Sequence, residues 1–265
     1  MYDFAYQKPS SLADAVKALG ADPEAKALAG GMTLIPVLKQ RLNKPSLLVD
    51  LAKIGLTGVS TNNAIIIIGG MTTHGAVAKS ADVKAKIPSL AELASHIGDE
   101  AVRHRGTIGG SLANNDPAAD YPAAALALGA TIKTDKRSIG ADDFFQGMFT
   151  TALEQGELIT SVEFPAPEKG AYEKFRNPAS RYAIVGVYVA KTAGGGVRVA
   201  VTGAGQSGVF RHTAMEQALS ANFSPDAIAN ITTPADDLNS DIHASAEYRA
   251  HLVGVMAKRA VARAY

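Results

Sequence analysis

The 265 residues contain no cysteine and no tryptophan. Without a thiolate the chain cannot ligate an iron–sulfur cluster, build a zinc–thiolate site, close a disulfide or supply a thiol nucleophile. Charge of either sign in excess is also missing: 26 basic against 25 acidic residues leave a net charge of +1. That balance lacks the concentrated positive field by which nucleic acid or an acidic surface is bound. No run approaches the roughly 20 apolar residues needed to span a bilayer, and the opening MYDFAYQKPSSL has no basic segment followed by an apolar core. A cytoplasmic protein with no membrane span and no nucleic-acid partner is expected.

What is present describes an ordinary globular chain, 47% apolar and 19% charged, long enough for two domains and a sizeable core. Its organising feature is a repeated Gly-Gly pair. The stretch Gly106 to Asp120, GTIGGSLANNDPAAD, echoes Leu28 to Ile35, LAGGMTLI, and a weaker copy lies at Ile65 to Thr73, IIIIGGMTT. In each, an apolar run stops at paired glycines. Glycine pairs let backbone N–H groups turn toward one point and approach an anion closely. Two such turns face to face, followed by the hydroxyls of Thr33 and Ser111, would cradle a diphosphate. Neither turn matches G-x-G-x-x-G or G-x-x-x-x-G-K-[ST], and no lysine follows to meet a γ-phosphate. A dinucleotide such as FAD suits them better than a triphosphate.

Along the chain, Ser11 to Asp14 reads as a capping box opening a helix with the stripe Leu12, Val16 and Leu19 and a stop at Gly20. Helical spacing recurs over Thr33 to Leu42, Ile87 to Ile97 and Pro117 to Leu128, where Pro122 begins the helix afresh. Leu47 to Leu51, Ile65 to Ile68, Ala130 to Thr134 and Leu158 to Phe164 read as strands. The Pro165-Ala-Pro167 segment with Glu168-Lys-Gly170 marks a domain boundary. Beyond it come strands at Ala171 to Arg176, Tyr182 to Lys191 and Val197 to Thr202, the last two joined at Gly194–Gly196. Helical segments follow at His212 to Leu219, at Pro225 to Ile231 and from Ser245 onward. The last is read with Tyr248, Leu252, Val255 and Met256 buried and Arg249, Lys258, Arg259 and Arg263 in water.

Among chemically capable residues, Asp120 is placed to accept a ribose hydroxyl or, equally, to cap the following helix. His74 and His104 read as polar neighbours rather than acid–base groups or flavin anchors. Asp142-Asp143 reads as a turn or helix cap. Arg103 and Arg105 offer positive charge beside the second turn, or are plain surface charges. Ser111 lacks a nucleophile elbow.

LAGGMTLIPVLKQRL, RHRGTIGGSLANNDPAADYPAA and YEKFRNPASRYAIVGV, in that order and with DIHASAEYRAHL near the end, resemble the FAD-binding medium subunits of molybdenum hydroxylases. That family includes the carbon monoxide dehydrogenase medium chain and the FAD domain of xanthine dehydrogenase. The resemblance spans nearly the whole chain and implies an α+β fold. A two-lobed, PCMH-like FAD-binding domain would occupy residues 1–168, and a smaller α+β domain of antiparallel strands and helices residues 169–265. It places the FAD diphosphate and ribityl chain on Ala29, Gly30, Gly31, Met32, Thr33 and Leu34, and faces them with Thr107, Ile108, Gly109, Gly110 and Ser111. Asp120 would bind the adenosine portion and Ile159 would line the flavin pocket through its backbone. Arg176 would stand near the isoalloxazine where the family often has a lysine, keeping the charge with a different hydrogen-bond geometry.

The function so implied is an FAD-binding electron-transfer subunit of an oxidoreductase complex. Substrate is oxidised at a molybdopterin cofactor in a large subunit, and electrons pass through [2Fe-2S] clusters of a small subunit to FAD and on to an external acceptor such as NAD, a quinone or oxygen. The absence of cysteine agrees with clusters lying elsewhere, and no catalytic residue or metal ligand is expected in this chain. Two other readings stand beside it. A self-contained flavin oxidoreductase would turn over a simple donor unaided, and a flavin-free scaffold subunit would be colourless and refuse FAD.

Overall fold

The computed structural model describes residues 1–265 and contains three sheets of three or more strands with helices packed between them. Strands β1 (Ala5–Gln7), β2 (Lys26–Leu28) and β3 (Leu47–Asp50) form a small parallel sheet in the order β1-β3-β2. Its first crossover is α1 (Leu12–Gly20), which begins where the Ser11 hydroxyl accepts the Asp14 amide, as the capping box predicts. Ala15 and Leu19 of α1 pack with Leu47 and Val49. The second crossover holds α2 (Leu34–Lys39), shorter than the spacing suggests and carrying Pro36 in its first turn, where a missing N–H costs nothing.

The next strands, β4 (Val59–Asn62) and β5 (Ile65–Gly69), open a five-stranded antiparallel sheet completed by β6 (Thr131–Thr134), β7 (Ser138–Gly140) and β10 (Ile159–Pro165), in the order β4-β5-β10-β6-β7. The four isoleucines of β5 look uniformly buried in sequence. In the sheet only Ile66 and Ile68 are fully enclosed, with Ile65 and Ile67 half-buried on the other face, as the two-residue period of a strand requires. A run of short helices covers the enclosed face: α3 (His74–Lys79), α4 (Ala81–Lys86), α5 (Pro88–Ser95), α7 (Ile108–Asn114) and α8 (Tyr121–Leu128), with α6 (Glu100–Arg105) lying outside them against α3. Every residue of α8 is buried. Its alanines let it lie between two sheets, so no polar face is needed.

Between β7 and β10 lie the single-turn α9 (Ala141–Phe144) and the small hairpin β8 (Phe145–Gly147)–β9 (Thr150–Thr151). Asp142 and Asp143 occupy the first turn of α9, and Asp142 is also paired with Arg198 and Arg211.

The third sheet is antiparallel, β11 (Lys169–Arg176), β12 (Ala183–Lys191), β13 (Val197–Thr202) and β14 (Phe210–Arg211) in sequential order. One face, with Tyr172, Tyr188 and Ala200, joins the core around α8. The other, with Val187, Val189, Val199 and Val201, packs on α10 (Thr213–Ala221) and α11 (Ala246–Arg263). Between those helices Pro225–Ile228 makes a 3₁₀ turn rather than the longer helix expected.

The predicted face of α11 needs correction. Tyr248 is exposed, whereas Arg249 is 3% exposed. Its guanidinium donates to the carbonyls of Ile184 (2.6 Å) and Gly203 (2.9 Å) and to the Asp241 carboxylate (2.8 Å). These bonds through the two terminal nitrogens offset the burial of the charge, while Nε is left without a partner.

Candidate functional site

A cleft of about 660 Å³ opens where the first two Gly-Gly turns meet. The first turn connects β2 to α2. Gly31 lies in the left-handed region at φ +75°, and the backbone amides from Ala29 to Leu34 donate to no acceptor within the protein. Pairing resumes with Ile35, whose amide reaches the Gly31 carbonyl at 3.0 Å. A run of free N–H groups wrapped around one left-handed glycine is a nest that an anion or water must satisfy. Gly30 is required for a different reason. A Cβ there would overlap the Arg105 carbonyl oxygen and stand 2.8 Å from the Gly106 Cα, so the two turns are pressed backbone to backbone.

The second turn is not a second nest, which corrects the picture of two equivalent cradles. The Ile108 amide donates to the Thr72 carbonyl (3.1 Å), Gly109 to the Gly70 carbonyl (2.9 Å), Gly110 to the Thr107 hydroxyl (3.1 Å) and Ser111 to the Thr107 carbonyl (3.0 Å). What remains open is the Thr107 amide and the Ser111 hydroxyl, neither of which has a protein partner. The third glycine pair explains why. Gly70 sits where a Cβ would strike the Ile159 carbonyl, and a Cβ on Gly109 would lie 2.6 Å from the Gly70 carbonyl oxygen. This pair therefore lets the end of β5 pass between β10 and α7, and Ile159 at the start of β10 reaches the cleft wall.

Asp120 also lines the cleft and is 5% exposed. It precedes α8 but makes no capping hydrogen bond, so the helix-cap alternative is excluded. Its carboxylate accepts the Tyr172 hydroxyl at 2.5 Å and the Lys174 ammonium at 2.9 Å, both from β11. Burial pushes the Asp120 carboxyl above its usual range, and Lys174 and Tyr172 offset this only in part. Arg176 does not join the group. It lies exposed at the end of β11, past an irregularity in pairing between Phe175 and Arg176, and is not among the lining residues. The cation that meets Asp120 is Lys174, two residues earlier, and it too lies outside the lining of the cleft.

The histidines and arginines separate clearly. His74 is 5% exposed, lies against Gly106, and has its ring 5.3 Å from that of Tyr121. Burial, helped by nearby Arg103, depresses its pKa to about 4, so it is a neutral wall of the cleft. Arg103 donates to the Ile97 and Gly98 carbonyls, while His104 and Arg105 are exposed on α6 and do not line the cleft. No cluster of three or more acidic or histidine side chains offers a metal site.

Sequence reasoning missed Asp116, Phe149, Glu157, Arg181 and Tyr182 among the lining residues. Tyr182 and Phe149 were visible as aromatics beside small polar residues, a surface signature. The loop before Tyr182 is held by Asn177, whose Oδ1 accepts the Ala179 and Ser180 amides at 2.9 and 3.0 Å. The chain also contains G-x-G-x-x-G at Gly203–Gly208, a pattern the reading of the two turns left aside. It leads from β13 into β14, not into a helix, and the Gly203 amide donates to the Pro117 carbonyl, so it lacks the context of a dinucleotide fingerprint.

Residues 2–167 match the family model described as the FAD binding domain in molybdopterin dehydrogenase. The chain is 36% identical over 277 residues to the carbon monoxide dehydrogenase medium chain of Afipia carboxidovorans, covering 98% of this chain and 96% of the relative. It is 35% identical over 273 residues to the nicotine 6-hydroxylase medium subunit of Paenarthrobacter nicotinovorans, with the same coverage of 98% and 96%. Among solved structures, reconstituted CO dehydrogenase from Oligotropha carboxidovorans superposes with a TM-score of 0.90 at 36% identity, over 99% of this chain and 97% of that one. Quinoline 2-oxidoreductase from Pseudomonas putida 86 superposes with a TM-score of 0.88 at 30% identity, over 99% and 96%.

Proposed function

The chain belongs to the family of FAD-binding domains in molybdopterin dehydrogenases, and from that premise we propose that it relays electrons between an iron–sulfur partner subunit and an external acceptor. It is an oxidoreductase component with FAD as its cofactor, a medium subunit of molybdenum hydroxylase type. The observation that carries the site is the run of unpaired amides from Ala29 to Leu34, closed against the second turn by Gly30. A diphosphate bridge presents the anionic oxygens those donors lack, without demanding a lysine.

We assign the diphosphate and ribityl chain to Ala29, Gly30, Gly31, Met32, Thr33 and Leu34. Thr107 and Ser111 contribute an amide and a hydroxyl, and Ile108, Gly109 and Gly110 shape the turn. Asp120 is assigned to the adenosine portion and Ile159 to the flavin wall. Residues 1–168 form the FAD-binding domain in this reading, and residues 169–265 a second domain that lends Lys174 and Tyr172 to its site. When bound, FAD supplies a carrier that accepts electrons singly and delivers them in pairs; the protein's part is to hold it and screen it from water. The large subunit would carry the molybdopterin cofactor and the small subunit the [2Fe-2S] clusters, in the cytoplasm.

The test is the visible spectrum of the purified chain before and after incubation with FAD, then with a reductant. A flavin band that bleaches supports the reading. Gly110→Val places new bulk 2.9 Å from the Thr107 hydroxyl and 3.5 Å from the Ala29 Cβ. It should abolish flavin retention while the circular dichroism spectrum stays unchanged. Normal flavin content in that variant would remove the turn-to-turn contact from the site.

A further inference from the structure

Two non-glycine residues lining the cleft lie in the left-handed region, Arg181 at φ +63° and Phe149, of which Phe149 is the aromatic one. It forms the tip of the β8–β9 hairpin, lies at φ +53°, lines the cleft and is 57% exposed. A bulky side chain in the left-handed region crowds its own backbone, so such a residue persists only where its surroundings over-determine it. The surroundings here are one residue. The Phe149 amide donates to the Asn115 carbonyl at 3.1 Å, and Asn115 Nδ2 donates to the carbonyls of Gly147 (2.7 Å) and Thr150 (2.9 Å), on either side of the tip. Asn115 is itself 1% exposed and left-handed at φ +43°, and it ends α7, the helix that starts from the second Gly-Gly turn. The hairpin tip is thus fixed to the same helix that shapes the cleft.

A hairpin needing only a tight turn would carry glycine or asparagine at such a position. Here the chain keeps an aromatic ring at the mouth of the cleft instead. Tyr182, 49% exposed, lines the same cleft from the loop after β11. A flat apolar face held rigidly in solvent is matched by a flat heteroaromatic ring, with which it stacks at little entropic cost because its backbone is already fixed. Building on the assignment of the cleft to FAD, we propose that Phe149 is a stacking platform for a ring of the bound dinucleotide, isoalloxazine or adenine.

The experiment uses the full chain, together with any partner subunits that co-purify, in wild-type form and as Phe149→Gly and Phe149→Tyr. Each is titrated with FAD, FMN and ADP and followed by flavin fluorescence or equilibrium dialysis. Phe149→Gly removes the ring and also relieves the left-handed strain, so its Tm should equal or exceed that of wild type. Its Kd for FAD should rise about tenfold or more, the usual effect of losing one stacking partner, and Phe149→Tyr should restore it. Weakened ADP binding with unchanged FMN binding assigns the platform to adenine. Weakened FMN binding with unchanged ADP binding, accompanied by a shifted visible band, assigns it to the flavin. Wild-type constants for all three ligands in Phe149→Gly overturn the platform and leave the FAD site standing. Failure of the wild-type protein to bind any of the three overturns the site itself, and the platform with it.

Discussion

Replacing Lys174 with methionine removes the ammonium beneath the cleft while keeping most of the side-chain volume. Lys174 and Asp120 have side chains 4% and 5% exposed and 2.9 Å apart, so Asp120 would keep only the Tyr172 hydroxyl and no counter-charge. Stranding a buried carboxylate in this way costs about 3–5 kcal/mol. At roughly 2.1 cal/mol/K per residue, the unfolding entropy of the 265-residue chain is about 0.56 kcal/mol/K, which converts the loss into a Tm lower by roughly 5–9 °C. Asp120→Asn combined with Lys174→Met should recover most of it, because a neutral amide needs no cation, giving a coupling of at least about 2 kcal/mol in the double-mutant cycle. The pH dependence follows in sign. Burial already holds the Asp120 carboxyl above its usual range, so the folded state binds its proton more tightly than the unfolded state. This contribution is most favourable below the ordinary carboxylate pKa and is lost as pH rises through the folded value. Removing Lys174 lifts that value further, so the deficit of Lys174→Met grows with rising pH and shrinks toward zero below about pH 4, near the unperturbed carboxylate pKa. Thermal unfolding of the four proteins between pH 4 and 8 measures all of this. A Lys174→Met protein within about 1 °C of wild type at pH 7, where roughly 5 °C or more is expected, or a cycle with no coupling, would refute the argument.

Gly30→Ala should cost about 1–3 kcal/mol, because the new methyl meets backbone at Arg105 and Gly106 rather than a side chain that can swing away; it should also lower the flavin-to-protein absorbance ratio of the purified chain, and an unchanged ratio with an unchanged Tm would show that the turns can part freely. His74 is held near pKa 4 against an unfolded value of 6.5, so stability present above pH 6.5 drains away as pH falls toward 4, amounting to about 3 kcal/mol. His74→Leu should lack this component, and urea midpoints of variant and wild type that shift in parallel between pH 7 and 4 would count against it.

The parts of the fold legible in sequence were those where one local rule dominates. The Ser11 cap, Pro36 in a first turn and the afresh start at Pro122 each depend on residues a turn apart, and all three appear in the structure. The strand-rich region beyond Lys169 was legible from its β-branched runs. Short elements such as β1 and β2 were not, because three residues carry no period and acquire their pairing from β3. Arg249 was misplaced because a helical wheel cannot foresee that Ile184 and Gly203 offer carbonyls at its tip. Within the site, the glycine pairs signalled close approach but not what approaches. Gly30 and Gly109 meet backbone, and only the first turn leaves its amides open. The Lys174–Asp120 pair was likewise not legible, because it joins residues 54 positions apart on different elements.

The charge of the cleft wall poses a question that the ion pairs answer. An anionic dinucleotide is assigned to a space lined by Asp116, Asp120 and Glu157, an arrangement that would repel it if the carboxylates acted as bare charges. Two of them are compensated by cations. Lys174 meets Asp120 from β11. Arg137 grips Glu157 through both oxygens at 3.0 Å, and burial of Glu157 is outweighed by that grip, by the Glu154 amide and by the Thr134 hydroxyl, which together bring its pKa to about 2. These pairs cancel the field at the distance of a ligand while leaving lone pairs that can still accept hydrogen bonds. The open amides of Ala29 to Leu34 then set the local sign. Under the proposed assignment, the first turn would attract the diphosphate, and the compensated carboxylates would be left to accept hydrogen bonds from hydroxyl and ring N–H groups.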